Sequence, residues 1–116
     1  MNTAPVRMTV EWLVPVAQTR SMTMVLHSVA AAIRATPGCL RCAVCTDIDH
    51  GGTVRYVEDW DSEEGLRKRL VSENFAPVSR LIEDASRPPR IEFTLAGGYR
   101  RADYLDEVRH AVTRAS

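Results

Sequence analysis

Apolar and polar positions alternate from Arg7 to Val14 (RMTVEWLV), which puts Met8, Val10, Trp12 and Val14 on one face of a predicted strand. Leu13 falls on the other face, so neither side reads as fully wet, and Pro15 ends the run. The period then changes. Met22, Val25, Leu26, Val29, Ala30 and Ile33 recur at helical spacing, predicting an amphipathic helix of about four turns from Ser21 to Ala35 that Pro37 closes. Residues 39–47 and 53–60 read as two strands. Asp49-His50-Gly51-Gly52 joins them, a hairpin turn rich in residues that accept positive φ. Asp61 or Ser62 can cap the next helix, with Glu64 three residues after Asp61 in capping-box fashion and Leu66 and Leu70 as the apolar positions. A further helix is expected near Asn74, where Pro77 is tolerable close to the first turn. Phe75, Val78, Leu81 and Ile82 face inward on it. Pro88-Pro89 stops that helix, and RIEFTL (90–95) alternates as a fourth strand.

The order is β-α-β-β-α-β, the ferredoxin-like class of α+β fold: one antiparallel sheet with both helices on the same face. The other face of the sheet is left needing cover. Residues 1–116 read as a single domain, a core at about 6–95 followed by a helical tail at about 99–116. In the tail Leu105, Val108, Ala111 and Val112 form a weak apolar stripe, and Arg109 and Arg114 lie towards the helix C-terminus. This predicts docking on the body or on a partner subunit, or else a frayed end.

Charge and cysteine content narrow the function classes. Fifteen basic and 15 acidic residues cancel, so there is no electrostatic footprint for nucleic acid or an acidic membrane surface. No stretch reaches the roughly 18 consecutive apolar residues of a membrane span, and the first residues do not read as a signal peptide. Cys39, Cys42 and Cys45 are an odd, clustered set and no disulfide framework, which fits a reducing cytoplasm. In a regular strand Cys39 and Cys45 point one way about 20 Å apart while Cys42 points the other, so one metal cannot gather them. Asp47, Asp49 and His50 read as turn formers. Neither a phosphate-binding glycine loop nor a nucleophile-elbow or zinc-helix motif occurs.

Candidate chemistry gathers on the third strand. Glu58 shares a face with Tyr56 and Trp60; a carboxylate desolvated among aromatics is a candidate base for a phenol, and equally a partner for one of the many arginines. Trp12 and Trp60 are candidate walls of an aromatic pocket, or simply core. His27, beside the apolar stripe of the first helix, can reach a pocket mouth or lie on the surface.

The segments TPGC (36–39), VRYVEDW (54–60), DSEEGLRKRL (61–70) and SENF (72–75) resemble the antibiotic biosynthesis monooxygenase family of small dimeric α+β barrel proteins, over roughly residues 6–95. The resemblance implies a homodimer packed sheet against sheet, which would supply the missing cover. It also implies a pocket between sheet and helices, where a small electron-rich aromatic such as a hydroquinone or anthrone is oxidised by molecular oxygen with no bound cofactor. It places Arg69 and Asn74 where relatives carry polar pocket groups, often histidine; Arg69 can hold a phenolate oxygen and Asn74 orient it. Tyr56, Trp60 and Phe75 would hold the ring, with Glu58 or a bound water as base. Haem-degrading relatives carry tryptophan at the Arg69 position and histidine at the position aligned with Ser79, so haem degradation is disfavoured. A non-catalytic ligand-binding or assembly module of the same fold is the alternative.

Overall fold

The computed structural model describes residues 5–49 and 52–115, so His50 and Gly51 of the expected turn lie outside the described residues. The elements run β1 (Val6–Leu13), α1 (Val16–Ile33), β2 (Cys39–Asp47), β3 (Thr53–Trp60), α2 (Glu63–Val71), α3 (Ala76–Glu83), β4 (Arg90–Leu95), β5 (Gly98–Arg100) and α4 (Ala102–Ala115). A single 3₁₀ turn, Glu73–Phe75, links α2 to α3. The sheet order is β2-β3-β1-β4-β5 with every neighbouring pair antiparallel. This is the expected ferredoxin-like α+β core, open at both edges, with one strand and one helix added at its C-terminal end.

Alternation decides what the helices cover. Val6, Met8, Val10 and Trp12 of β1 stand opposite Trp60, Glu58, Tyr56 and Val54 of β3 on one face, and all eight are buried. α1 lays Leu26, Val29, Ala30 and Ile33 on that face, while Leu66 and Leu70 of α2, Phe75 and Val78 complete the core. Residues this deep each contribute roughly 1.5–3 kcal/mol by leaving water. Gly52 shows how closely the hairpin is built: at φ +86° its Cβ would stand 2.2 Å from the Val14 carbonyl oxygen, so only glycine fits.

Several expectations need correction. α1 starts at Val16 and not at Ser21, because Pro15 sets the entry and the Gln18 amide bonds the Pro15 carbonyl at 2.8 Å. Val16, Gln18 and Arg20 are exposed there, so the first turn shows no apolar stripe to read. Val25, expected on the buried stripe, is exposed. Ser62 is the cap of α2, accepting the Gly65 amide at 3.1 Å. β2 carries a bulge at Leu40: Cys39 faces Trp60 and Arg41 faces Asp59. The extra residue turns Cys39 onto the same face as Cys42, which faces Glu58, and leaves Cys45, opposite Arg55, on the other side.

The tail docks on its own body. Tyr104, Leu105 and Val108 are buried; the Tyr104 ring lies 4.8 Å from that of Phe93, and its hydroxyl donates to Glu63 at 2.8 Å. Arg109 Nη1 donates to the Leu70 carbonyl at 2.9 Å, fastening α4 to the end of α2. The side chains of Ala111, Val112 and Arg114 lie outside those described.

Candidate functional site

The four residues that dominate the site arrive from two elements. β3 alternates Tyr56, Glu58 and Trp60 onto the helix-covered face, and α2 crosses above them. On α2, Arg69 falls between Leu66 and Leu70 at the three- and four-residue spacing of one helix face, so it turns inward with them. Glu58 is 0 % and Arg69 4 % exposed. Arg69 Nη2 donates to Glu58 Oε2 at 3.1 Å, and its Nε lies 3.2 and 3.3 Å from the two carboxylate oxygens. Trp60 Nε1 donates to Oε1 at 2.9 Å, and the Tyr56 hydroxyl donates to Oε2. These donors occupy all of the roughly four lone-pair positions a carboxylate offers.

The surroundings of the pair are tuned accordingly. Burial pulls the Arg69 guanidinium down, but the Glu58 carboxylate more than offsets this and holds it above its ordinary value. Burial pushes the Tyr56 hydroxyl up, and the charge of Glu58 adds to the shift, so the phenol stays protonated. Cys42 donates its thiol to Tyr56 Oη at 3.2 Å, extending the chain of donors, and burial pushes that thiol up to about 11. The Arg69 guanidinium stacks 5.2 Å from the Phe75 ring centre, with Arg109 at 5.7 Å from it. Among the described residues, Arg69 Nη1 is the one buried side-chain polar atom without a hydrogen-bond partner.

A cavity of about 200 Å³ opens beside this pair. Its lining includes Ile33 and Pro37 on the apolar side, Trp60 and Gly65, and the polar residues Lys68, Arg69, Ser72 and Asn74. Gly65 keeps it open: a Cβ there would already stand 3.4 Å from Trp60. Ser72 caps α2 by donating its hydroxyl to the Arg69 carbonyl at 2.8 Å, which fixes the turn leading to Asn74.

The structure thus brings together Tyr56, Glu58, Trp60, Arg69 and Phe75, with Asn74 exposed at the cavity. Glu58, Tyr56 and Phe75 lie behind the lining and not in it. Trp12 sits four strand residues away from Met8, the partner of Glu58, and its indole donates to the Leu81 carbonyl at 3.1 Å. His27 is exposed on α1 and is not part of the lining. Sequence pattern does not mark Lys68, Gly65 or Ser72 as cavity residues; the helical spacing that turns Arg69 inward is the available signal. A second groove, about 440 Å³, lies at the far end of the sheet among Leu13, Met22, Val25, Leu81 and Asp84. It holds none of these chemical groups. Among the described residues no helix is long and apolar enough to cross a membrane, and no cluster of ligands could hold a metal ion.

Comparison with known proteins bears on the same segment. The antibiotic biosynthesis monooxygenase family model matches residues 7–78, more than half of the chain. No curated protein matches it in sequence. Among solved structures, a conserved protein from Methanosarcina mazei is similar with a TM-score of 0.68 at 15% identity, over 78% of this chain and 91% of that one. A Pseudomonas aeruginosa protein gives 0.66 at 19% identity, over 80% and 94%. A Mycobacterium tuberculosis protein gives 0.65 at 22% identity, over 78% and 92%. At these identities the likeness is one of fold. The family match over β1 through the start of α3 is what identifies the chain, which belongs to the antibiotic biosynthesis monooxygenase family.

Proposed function

We propose that this protein is a cofactor-independent monooxygenase that oxidises a small electron-rich aromatic, of the hydroquinone type, with molecular oxygen. The observation that carries the reading is a buried guanidinium whose Nη1 amino group has no hydrogen-bond partner, on a residue that lines a cavity walled by Trp60. A cavity of about 150 Å³ holds benzene, so about 200 Å³ suits one substituted ring better than the three rings of an anthrone. The ring lies against Trp60. Its phenolate oxygen takes a charge-assisted bond from Arg69 Nη1, and the Asn74 amide orients it. Electron density on the bound anion then passes to oxygen directly. A hydroquinone supplies all four electrons itself: one oxygen atom enters the ring, the other leaves as water, and a hydroxyquinone results.

Glu58 takes a different part from the base its sequence position suggested. With its lone pairs committed to Trp60, Tyr56 and Arg69, it is a positioning residue that aims the guanidinium. We also infer a cytoplasmic homodimer formed through the open sheet face. Val57, only 8 % exposed, sits there between Ala43 and Thr9, with Arg7, Asp59, Arg55 and Glu11 flanking it in alternating charge. That pattern can pair with itself under two-fold symmetry.

Oxygen uptake with a panel of hydroquinones tests the reading. Uptake above autoxidation that falls at least tenfold in Arg69→Gln is expected; uptake equal to autoxidation across the panel overturns it. A second reading, a ligand-binding module without turnover, is favoured by one observation: among the described residues Lys68 and Arg69 are the only charged groups lining the cavity, and neither is a free base. That reading predicts binding without oxygen consumption.

A further inference from the structure

The charges around the cavity are one-sided. Its lining carries two cations, Lys68 and Arg69, and no carboxylate. Glu58 answers the charge of Arg69 from behind. Lys68, the only lysine in the chain, makes no ion pair among the described residues, so its charge is presented to whatever enters. Asp61 approaches Gly65, yet it is not part of the lining. The orphaned Nη1 of Arg69 adds a second donor site that asks for an anionic or strongly polarised oxygen. A neutral diphenol uses only one of these two features.

We propose that the natural ligand of this cavity is a single aromatic ring carrying an acidic substituent, a carboxylate, as well as its ionisable hydroxyl. One oxyanion sits on Arg69 Nη1 and the other is held by Lys68 at the rim. This rests on the reading of the cavity as the aromatic site and narrows its substrate class. The exposed ammonium contributes selectivity and encounter rate more than it contributes depth of binding. Its effect is therefore modest and screened by salt.

The test is anaerobic titration of the protein's tryptophan fluorescence with 2,5-dihydroxybenzoate, its methyl ester and hydroquinone, at low and at high salt. Lys68→Met serves as the variant, since Met keeps the helix propensity at this exposed position. The acid is expected to bind roughly two- to fivefold tighter than the ester at low salt, as for one exposed ion pair. That preference should shrink at high salt and in Lys68→Met, while hydroquinone affinity moves less than about twofold. An acid that binds no tighter than its ester overturns the proposal and leaves the aromatic site standing. A preference that survives Lys68→Met overturns the role of Lys68. Binding of none of the three probes overturns the aromatic site and this proposal together.

Discussion

Replacing Glu58 by glutamine probes the centre of the structure. The change keeps the side chain's shape but removes its charge, leaving the Arg69 guanidinium, 4 % exposed, without its carboxylate partner. Breaking a buried pair from one side costs about 3–5 kcal/mol, because the remaining charge is uncompensated. The Trp60 and Tyr56 bonds persist to the amide oxygen in weaker, neutral form. Against a total stability of about 5–15 kcal/mol, this loss is a large fraction. With a urea dependence of about 1–3 kcal/mol per M, the midpoint should fall by roughly 2–3 M. The double variant Glu58→Gln/Arg69→Met removes the stranded cation and lays a thioether over Phe75 instead. It should recover about half of the loss or more, giving a coupling of at least roughly 2 kcal/mol. Urea melts followed by fluorescence and by circular dichroism measure all four corners. A single variant that loses less than about 1 kcal/mol, or a cycle that is additive, would refute the account of Glu58 as the counter-charge that holds Arg69 in place.

Alkaline stability follows from the thiol and phenols. Cys42 is raised from its ordinary value to about 11 and Tyr104 to about 12, burial being the first cause in both. A raised folded value means the stabilisation is complete below the unfolded value and is lost as pH rises through the folded one. Unfolding free energy should therefore fall from about pH 9 upwards, and Cys42→Ala should reduce the part lost between about pH 9 and 11, as chemical melts across that range would show. Gly65→Ala places a methyl 3.4 Å from Trp60, ordinary contact distance, so the helix should gain up to about 1 kcal/mol while ring binding weakens severalfold. Tighter ring binding in that variant would contradict the placement of the cavity. Val57→Glu puts a charge at the centre of the open sheet face and should yield monomers in sedimentation while the secondary structure stays intact.

The sequence carried the fold because each element was signalled by its own rule. The strands showed period two, α1 showed a helical stripe, Ser62 offered a cap, and glycines stood where positive φ was needed. What stayed hidden was local or cooperative. β5 is three largely exposed residues beginning at the second glycine of a pair and leaves no periodic trace. The Leu40 bulge changes the facing of Cys39 through strand pairing that no local composition announces. An arginine partner for Glu58 is legible in the sequence but not which one, because Arg69 stands inside a basic run, RKR, which alone reads as a solvated face. Only its phase between Leu66 and Leu70 separates it from its neighbours. The role of Asn74 rests on its position at the cavity and on the family resemblance together, because its own contacts are few.

The commitment of Glu58 has a kinetic consequence that separates two mechanisms. If a protein carboxylate removed the phenol proton, the pH midpoint of kcat/KM would belong to the protein and stay put when the substrate changed. In the arrangement described here both carboxylate oxygens are already engaged, and no other base lines the cavity. On the proposed mechanism the proton then leaves to solvent, and the reactive form is the phenolate captured by Arg69. The midpoint of kcat/KM should accordingly follow the ionisation of the free substrate. Hydroquinones made more acidic by a halogen substituent should shift it downwards by the difference in their phenol ionisation. The midpoint of kcat should lie below the free-substrate value, because the guanidinium favours the bound anion. Steady-state oxygen uptake across pH with two such hydroquinones decides the matter: a midpoint common to both would restore a protein base and displace the anion-capture mechanism.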